Sequence, residues 1–102
     1  MPFGLKQSQV NAINSIFKEF VAIEKVIIYG SRAKGSHKPG SDIDLVIEGN
    51  ELTFSELLSI ENKIDDLLLP YKIDLSPKKS ISSEELLAHI DRVGKVFYER
   101  NK

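Results

Sequence analysis

The stretch GSRAKGSHKPGSDIDLVIEG, residues 30–49, decides how this chain is read. A small-residue turn, Gly30-Ser31, is followed after ten residues by Asp42 and Asp44 in alternation, at the head of the apolar run Leu45-Val46-Ile47. Successive side chains of a strand point to opposite faces, so Asp42 and Asp44 share one face while Ile43 and Leu45 share the other. Two carboxylates that close repel unless a cation lies between them, and Mg²⁺ prefers oxygen ligands of this kind. At the other end of the stretch, glycine lets a phosphate approach the backbone, and free amides opening a helical turn form an anion site. The Ser31 hydroxyl adds one more donor.

Working outward, Lys25–Tyr29 (KVIIY) is short, β-branched and apolar through its middle, as expected of a strand covered on both faces. Before it, Val10, Ile13, Ile16, Phe17 and Phe20 keep the three-and-four spacing of an amphipathic helix over residues 7–22. Ser31–Lys34 suits one or two helical turns, and GSHKPG, residues 35–40, is a loop whose Pro39-Gly40 pair favours a turn. Residues 42–47 form the second strand. Helical spacing returns at Phe54, Leu57, Leu58, Ile64, Leu67 and Leu68, predicting a helix over residues 53–69 that Pro70 closes. Thr53 and Glu56 are placed for a capping box if the helix starts there. Residues 71–75 (YKIDL) predict a third strand ended by Ser76-Pro77. Ser82-Ser83-Glu84-Glu85 reads as a second capping box, opening a helix with Leu86, Leu87, Ile90 and Val93, and Gly94 suits its cap. Residues 95–98 form a short last strand. The order α-β-(α)-β-α-β-α-β predicts an α/β (α+β) domain, a small mixed β-sheet flanked by helices.

Asp74 lies in the third strand, where an ionised side chain is unexpected without a partner. If that strand lies beside the second, Asp74 joins Asp42 and Asp44 around one or two metal ions. Paired ions stand about 3.5–4 Å apart and clamp the attacking and leaving oxygens of an in-line displacement. Arg32, Lys34 and Lys38 supply cations suited to a triphosphate. The candidate set is therefore Asp42, Asp44 and Asp74 for metal and catalysis, with Gly30, Ser31, Arg32 and Ser41 for the nucleotide. Singly these residues are ordinary: Gly-Ser is a common turn, Ser41-Asp42 reads equally as a turn or cap, and a lone Asp74 would be a solvated edge residue. Their conjunction carries the reading.

At 102 residues there is room for one modest core, so residues 1–102 are expected to form a single domain. With 14 Lys+Arg against 15 Asp+Glu the net charge is -1, which argues against a dedicated nucleic-acid binder. Cysteine is absent, removing disulfides and thiolate metal sites together. MPFGLKQSQV lacks signal-peptide character, and no apolar run approaches the roughly 18 residues of a membrane span. A soluble, cytoplasmic protein is expected. His37 is read as solvated and His89 as a surface or packing residue. Tyr29, Tyr71 and Tyr98 are read as core or interface, and Lys78, Lys79, Arg100 and Lys102 as solvated charges. Lys72 is placed to share a strand face with Asp74.

At GSRAKGS, SDIDLVI and YKIDLS the chain resembles the nucleotidyltransferase superfamily that includes DNA polymerase beta, and within it the minimal nucleotidyltransferases of the MNT or MntA antitoxin type. HIDRVGKVFYER resembles the family's usual carboxyl end, and the acidic triad shows no departure. The resemblance implies that Asp42 and Asp44 bind two Mg²⁺ ions, that Asp74 completes the site and helps activate the attacking hydroxyl, and that Gly30 and Ser31 hold the nucleotide phosphates. The implied reaction transfers a nucleoside monophosphate, AMP from ATP, and releases pyrophosphate. Larger relatives carry an added helical domain that this sequence lacks, so a partner is implied. For such minimal proteins that partner is a HEPN-domain toxin, modified on a tyrosine within a hetero-oligomer. A binding-only antitoxin, or transfer to a small hydroxylated molecule, are the other readings.

Overall fold

The computed structural model describes residues 2–100. The elements follow the predicted order: α1 (Gln7–Lys18), β1 (Lys25–Tyr29), α2 (Ser31–Lys34), β2 (Ile43–Glu48), α3 (Phe54–Asp65), β3 (Ile73–Pro77), α4 (Glu84–Val93) and β4 (Lys95–Glu99). The strands form one mixed sheet in the order β3-β2-β1-β4. β1 runs antiparallel to both β2 and β4, whereas β2 and β3 are parallel.

Strand alternation sorts the core into two layers. Val26, Ile28, Ile43, Leu45 and Ile47 face Val10, Ile13, Ile16 and Phe17 of α1 and Leu57, Ile60 and Ile64 of α3. On the opposite face Tyr29 and Val46 meet Ile90 of α4, flanked by Ile27, Leu86 and Val93. Phe17 is fully buried, with Phe97 edge-on at 6.4 Å and Tyr98 at 5.8 Å. Both faces of the centre of the sheet are thus covered, as the apolar KVIIY strand requires.

Several boundaries differ from the sequence expectation, each for a local reason. α1 stops at Lys18, not residue 22: Arg100 from the far end of the chain donates to the carbonyls of Lys18, Phe20 and Ile23, satisfying acceptors that a longer helix would have used. α3 stops at Asp65, well before Pro70, because Leu68 takes a left-handed φ of 53°. That break turns Leu67 and Leu69 onto the core and leaves Leu68 88% exposed. β2 begins one residue late, at Ile43, and β3 spans Ile73–Pro77 because its parallel register carries Ser76 and Pro77 alongside Val46 and Ile47. Pro77 is tolerated there since β3 is an edge strand. The Thr53–Glu56 box forms as expected, with the Glu56 amide donating to Thr53 Oγ1 and the Thr53 amide to Glu56 Oε1. α4 is capped one residue later than the expected box, by Ser83, whose hydroxyl accepts from the Leu86 amide. Gly94 caps α4 with ordinary extended angles. It is glycine because a Cβ would stand 2.4 Å from the Ile90 carbonyl oxygen.

The expected solvated cations also hold the fold together. Besides Arg100, Lys79 donates to the carbonyls of Asn50 and Leu52, and Lys78 pairs with Glu48 at 3.5 Å. Lys102 lies outside the described residues. Among the described residues no helix is long and apolar enough to cross a membrane.

Phe17→Ala should lower unfolding stability by about 3–5 kcal/mol, since the ring is fully enclosed and neighbouring aromatics cannot collapse into the space without losing contact with one another. Urea denaturation followed by far-UV circular dichroism reads that change directly.

Candidate active site

The parallel register of β2 and β3 sets Asp44 directly beside Asp74, and the antiparallel register of β1 and β2 sets Tyr29 beside Asp44. Tyr29, Asp44 and Asp74 therefore form one rank across three strands, on the face that α4 covers only in part. Asp42 stands just ahead of the β2 ladder, and the adjoining Ile43 amide donates to the Lys72 carbonyl, which locks the start of β2 to the start of β3. The structure thus brings together all three carboxylates that the sequence singles out. Asp42 and Asp74 are exposed and Asp44 is half-buried, so they stand on an open ledge at one end of the sheet.

The electrostatics follow from that crowding. The Asp44 carboxyl is pushed above the ordinary carboxylate range, first by burial, then by the charges of Asp74 and Asp42, with partial relief from His89. The Tyr29 hydroxyl is raised in turn by burial and by the charges of Asp44 and Asp74. Burial is the larger cause of each shift and neighbouring negative charge adds to it, and a divalent cation would offset that second contribution. No group of three or more His, Asp or Glu side chains among the described residues closes tightly enough to hold an ion by protein atoms alone. Mg²⁺ needs no such cage, because it keeps several waters and takes substrate phosphate oxygens beside one or two carboxylates. The hard oxygen donors of Asp42, Asp44 and Asp74 fit that requirement.

Gly30 links β1 to α2 with φ 76° and ψ -155°, a region only glycine enters without strain. A Cβ there would also lie 2.5 Å from Asp44 Oδ2. Glycine is therefore required twice over: to make the turn, and to leave room for the carboxylate. Ser31 begins the four-residue α2, in which the Lys34 amide donates to the Gly30 carbonyl and left-handed Gly35 ends the turn.

Arg32 and Ser41 occupy a different place from the one expected of nucleotide-binding residues. Arg32 is only 3% exposed, and its guanidinium donates to the Ser41 carbonyl through Nε and Nη2 and to the Phe3 carbonyl through Nη1. It also lies over the Tyr71 ring, 4.7 Å from the centroid. The Ser41 hydroxyl accepts from the Lys38 amide and closes the loop. The Arg32 side chain is thus turned to the Ser41 and Phe3 carbonyls, and the Ser41 side chain to its own loop. Lys34 and Lys38 are exposed, and Lys72 is exposed with no ion pair to Asp74 among the described residues. His37 is not solvated as expected: it packs over Gly4 with Nδ1 buried.

His89 was placed by sequence at the surface or in packing, and the structure shows which. Its ring meets Tyr29 edge-on at 6.2 Å, at the margin of the carboxylate rank, where its charge bears on Asp44. The signal for this was its spacing: three residues after Leu86 and four before Val93, His89 belongs to the helix face that covers the sheet.

Comparison with known proteins agrees with this geometry. Residues 11–102 match the family model described as Polymerase beta, Nucleotidyltransferase. The chain is 39% identical over 67 residues to a Methanocaldococcus jannaschii protein named, provisionally, as a protein adenylyltransferase; the match spans 65% of this chain and 67% of that one. It is 29% identical over 99 residues to MntA of Haemophilus influenzae, named a probable protein adenylyltransferase, spanning 96% of this chain and 86% of that one. Among solved structures, a chain of a toxin-antitoxin crystal structure with AMP-PNP superposes with a TM-score of 0.71 at 20% identity, covering 90% of this chain and 74% of that one. A chain from the complex of tri-AMPylated Shewanella oneidensis HEPN toxin with MNT antitoxin gives a TM-score of 0.68 at 18% identity, covering 94% and 74%. The structural matches establish the shared fold, and the family match over nearly the whole sequence establishes descent: this chain belongs to the polymerase beta nucleotidyltransferase family.

Proposed function

We propose that residues 1–102 form a single minimal nucleotidyltransferase domain that transfers AMP from ATP to a protein hydroxyl, and that it serves as the antitoxin of a HEPN-domain toxin by modifying a tyrosine of that toxin in a hetero-oligomer. The observation that carries this reading is the lateral pairing of Asp44 with Asp74, thirty residues on in the chain, against the glycine-only turn at Gly30. The names borne by the relatives, and the toxin-antitoxin complexes among the structural neighbours, support the choice of a protein as acceptor. ATP as donor suits a cytoplasmic location.

In this reading Asp42 and Asp44 hold Mg²⁺ and Asp74 completes the ligand set. Two such ions, when bound, polarise the α-phosphate and offset charge on the leaving pyrophosphate. Gly30 and Ser31 receive the phosphates at the start of α2, the serine hydroxyl donating to a phosphate oxygen. The Asp74 carboxylate orients the acceptor hydroxyl and takes its proton as the oxygen attacks the α-phosphorus. A new O–P bond forms, the bond from the α-phosphorus to the bridging oxygen breaks, and pyrophosphate carries away the electron pair. Because Asp42 and Asp74 lie open, the acceptor enters from outside the sheet on a partner's surface.

Intact-mass measurement of the cognate HEPN protein, incubated with this chain, ATP and Mg²⁺, tests the reading. The expected result is a mass gain of one or more AMP groups. Asp74→Asn should slow it by about 10²–10⁴-fold, the usual worth of a positioned base. Asp42→Asn and Asp44→Asn should abolish it while the two proteins still co-purify. If toxin activity is blocked equally well by the Asp42→Asn and Asp44→Asn variants, with no mass gain from wild type, neutralisation is by binding alone.

Gly30→Ala should cost about 1–3 kcal/mol of stability from its backbone alone. It should also reduce AMP transfer at temperatures where it remains folded, because the new methyl displaces the Asp44 carboxylate. Paired urea-denaturation and rate measurements separate the two effects.

The raised Asp44 carboxyl has a definite sign for pH dependence. Above its folded-state value the ionised group destabilises the metal-free fold, and that penalty is relieved as pH falls through this value. Asp44→Asn should therefore raise the melting temperature of the metal-free protein at neutral pH, with a gain that fades on acidification. Metal binding requires the ionised form, so Mn²⁺ affinity measured calorimetrically should begin to fall at a higher pH than for an isolated aspartate.

A further inference from the structure

We propose that Arg32 is a positioning residue that sets the separation between the phosphate-binding turn and the metal-binding carboxylates, and that it makes no direct contact with the nucleotide. The inference rests on the site reading above. A buried guanidinium is costly unless its donors are satisfied, and here they are satisfied by main-chain carbonyls. Nε and Nη2 converge on the single carbonyl of Ser41 at 3.0 and 2.9 Å, and Nη1 reaches the carbonyl of Phe3 at 2.8 Å. No carboxylate lies in ion-pair range of Arg32 among the described residues. The cation instead rests over the Tyr71 ring.

Each partner sits next to a functional element. Ser41 immediately precedes Asp42. Tyr71 stands two residues before β3, which carries Asp74. Arg32 itself follows Ser31 in α2. One side chain thus spans from the Gly30-Ser31 turn to the start of both acid-bearing strands. The loop between Gly35 and Gly40 has few other ties: the Ser36 amide to the Ser31 carbonyl, the Lys38–Ser41 pair that closes the loop on itself, and His37 packed over Gly4. The β1–β2 ladder ends at the Tyr29–Asp44 pair, and beyond it the guanidinium is the side-chain tie from the Ser31 segment to the residue that precedes Asp42. The planar fork matters as well as the charge, since two donors on one carbonyl define direction, which a lysine ammonium does not.

The Phe3 contact extends the clamp to the amino-terminal turn, where Phe3 takes φ 57°, Gly4 follows at φ 75° and the Phe3 ring packs 6.0 Å from Phe97. A non-glycine residue held at positive φ marks a conformation that the surroundings impose. Here the imposed turn aims the Phe3 carbonyl at Nη1 and braces the guanidinium from the side opposite the loop.

The test compares wild type with Arg32→Lys and Arg32→Gln as full chains, at a temperature where calorimetry shows each fully folded. Three readouts are taken: AMP transfer kinetics on the HEPN protein, Mn²⁺ affinity, and amide hydrogen exchange of residues 36–42 in the metal-free protein. Expected for both variants is a fall in kcat of about 10–100-fold with the KM for ATP changed by less than about threefold, as for misplacement of reacting groups. Mn²⁺ affinity should drop about tenfold, and exchange at the Ser41 amide should accelerate. A rise in the KM for ATP with kcat preserved would overturn the inference in favour of direct phosphate contact. Unchanged kcat and Mn²⁺ affinity in the folded variants would overturn it in favour of a role in stability alone. If wild type transfers no AMP, the proposed function fails, and the Mn²⁺ and exchange measurements still decide whether Arg32 positions the carboxylates.

Discussion

The constraint on which the rest of this structure depends is the placement of two acidic side chains side by side on parallel strands. Asp44 and Asp74 share a register position, and Asp42 adds its charge from one turn of the pleat away. Half-burying one of these carboxylates and crowding it with the other two opposes folding, and the Asp44 carboxyl is raised first by that burial and then by the charges of Asp74 and Asp42. The remainder of the sheet has to supply enough favourable burial to hold them there. It does so with an unbroken apolar rank, Ile43, Leu45 and Ile47, on the face directly behind the carboxylates. One strand therefore carries both the electrostatic liability and the hydrophobic anchor that offsets it.

In so short a chain the cations are used differently from the anions. Arg32, Lys79 and Arg100 donate mainly to main-chain carbonyls, at the loop before β2, the turn before α3 and the end of α1. Each satisfies acceptors that regular structure leaves open, where a larger protein would cover the same carbonyls with further secondary structure. Lys34, Lys38 and Lys72 are exposed. The near-neutral balance of charge thus conceals a local division: Asp42, Asp44 and Asp74 gathered at one end of the sheet, and Arg32, Lys79 and Arg100 placed in the frame as hydrogen-bond donors.

Much of this was legible in the sequence because local chemistry and tertiary placement agree there. β1 is found where KVIIY predicts it, α2 where Ser31–Lys34 predicts a turn, and the mixed sheet follows from the order of elements. The common face of Asp42 and Asp44 follows from strand periodicity, and only the neighbouring position of β3 needed the structure. The misplaced boundaries share a cause: contacts remote in sequence. Arg100 ends α1 from more than eighty residues away, and the register with β2 draws Pro77 into β3. The end of α3 is the exception, since a leucine in the left-handed region carries no sequence signal. The carbonyl partners of Arg32 were hidden for another reason. A cation beside Gly30-Ser31 looks like a phosphate ligand, and nothing in its neighbours announces that Ser41 and Phe3 will turn their carbonyls toward it.

The open ledge and the buried clamp are two aspects of one arrangement. Metal and triphosphate chemistry need carboxylates held to within fractions of an ångström, yet an acceptor borne on another protein needs those carboxylates exposed. Here the rigidity comes from behind and beside the site: the apolar rank beneath Asp44, the glycine-only turn pressed against it, and the guanidinium that ties Ser41 to the amino-terminal turn. None of these occupies the solvent side of Asp42 or Asp74, so that side is left to whatever brings the acceptor. Exposure at the reacting edge is then compatible with precision, because the order is built into the backbone on which the carboxylates stand.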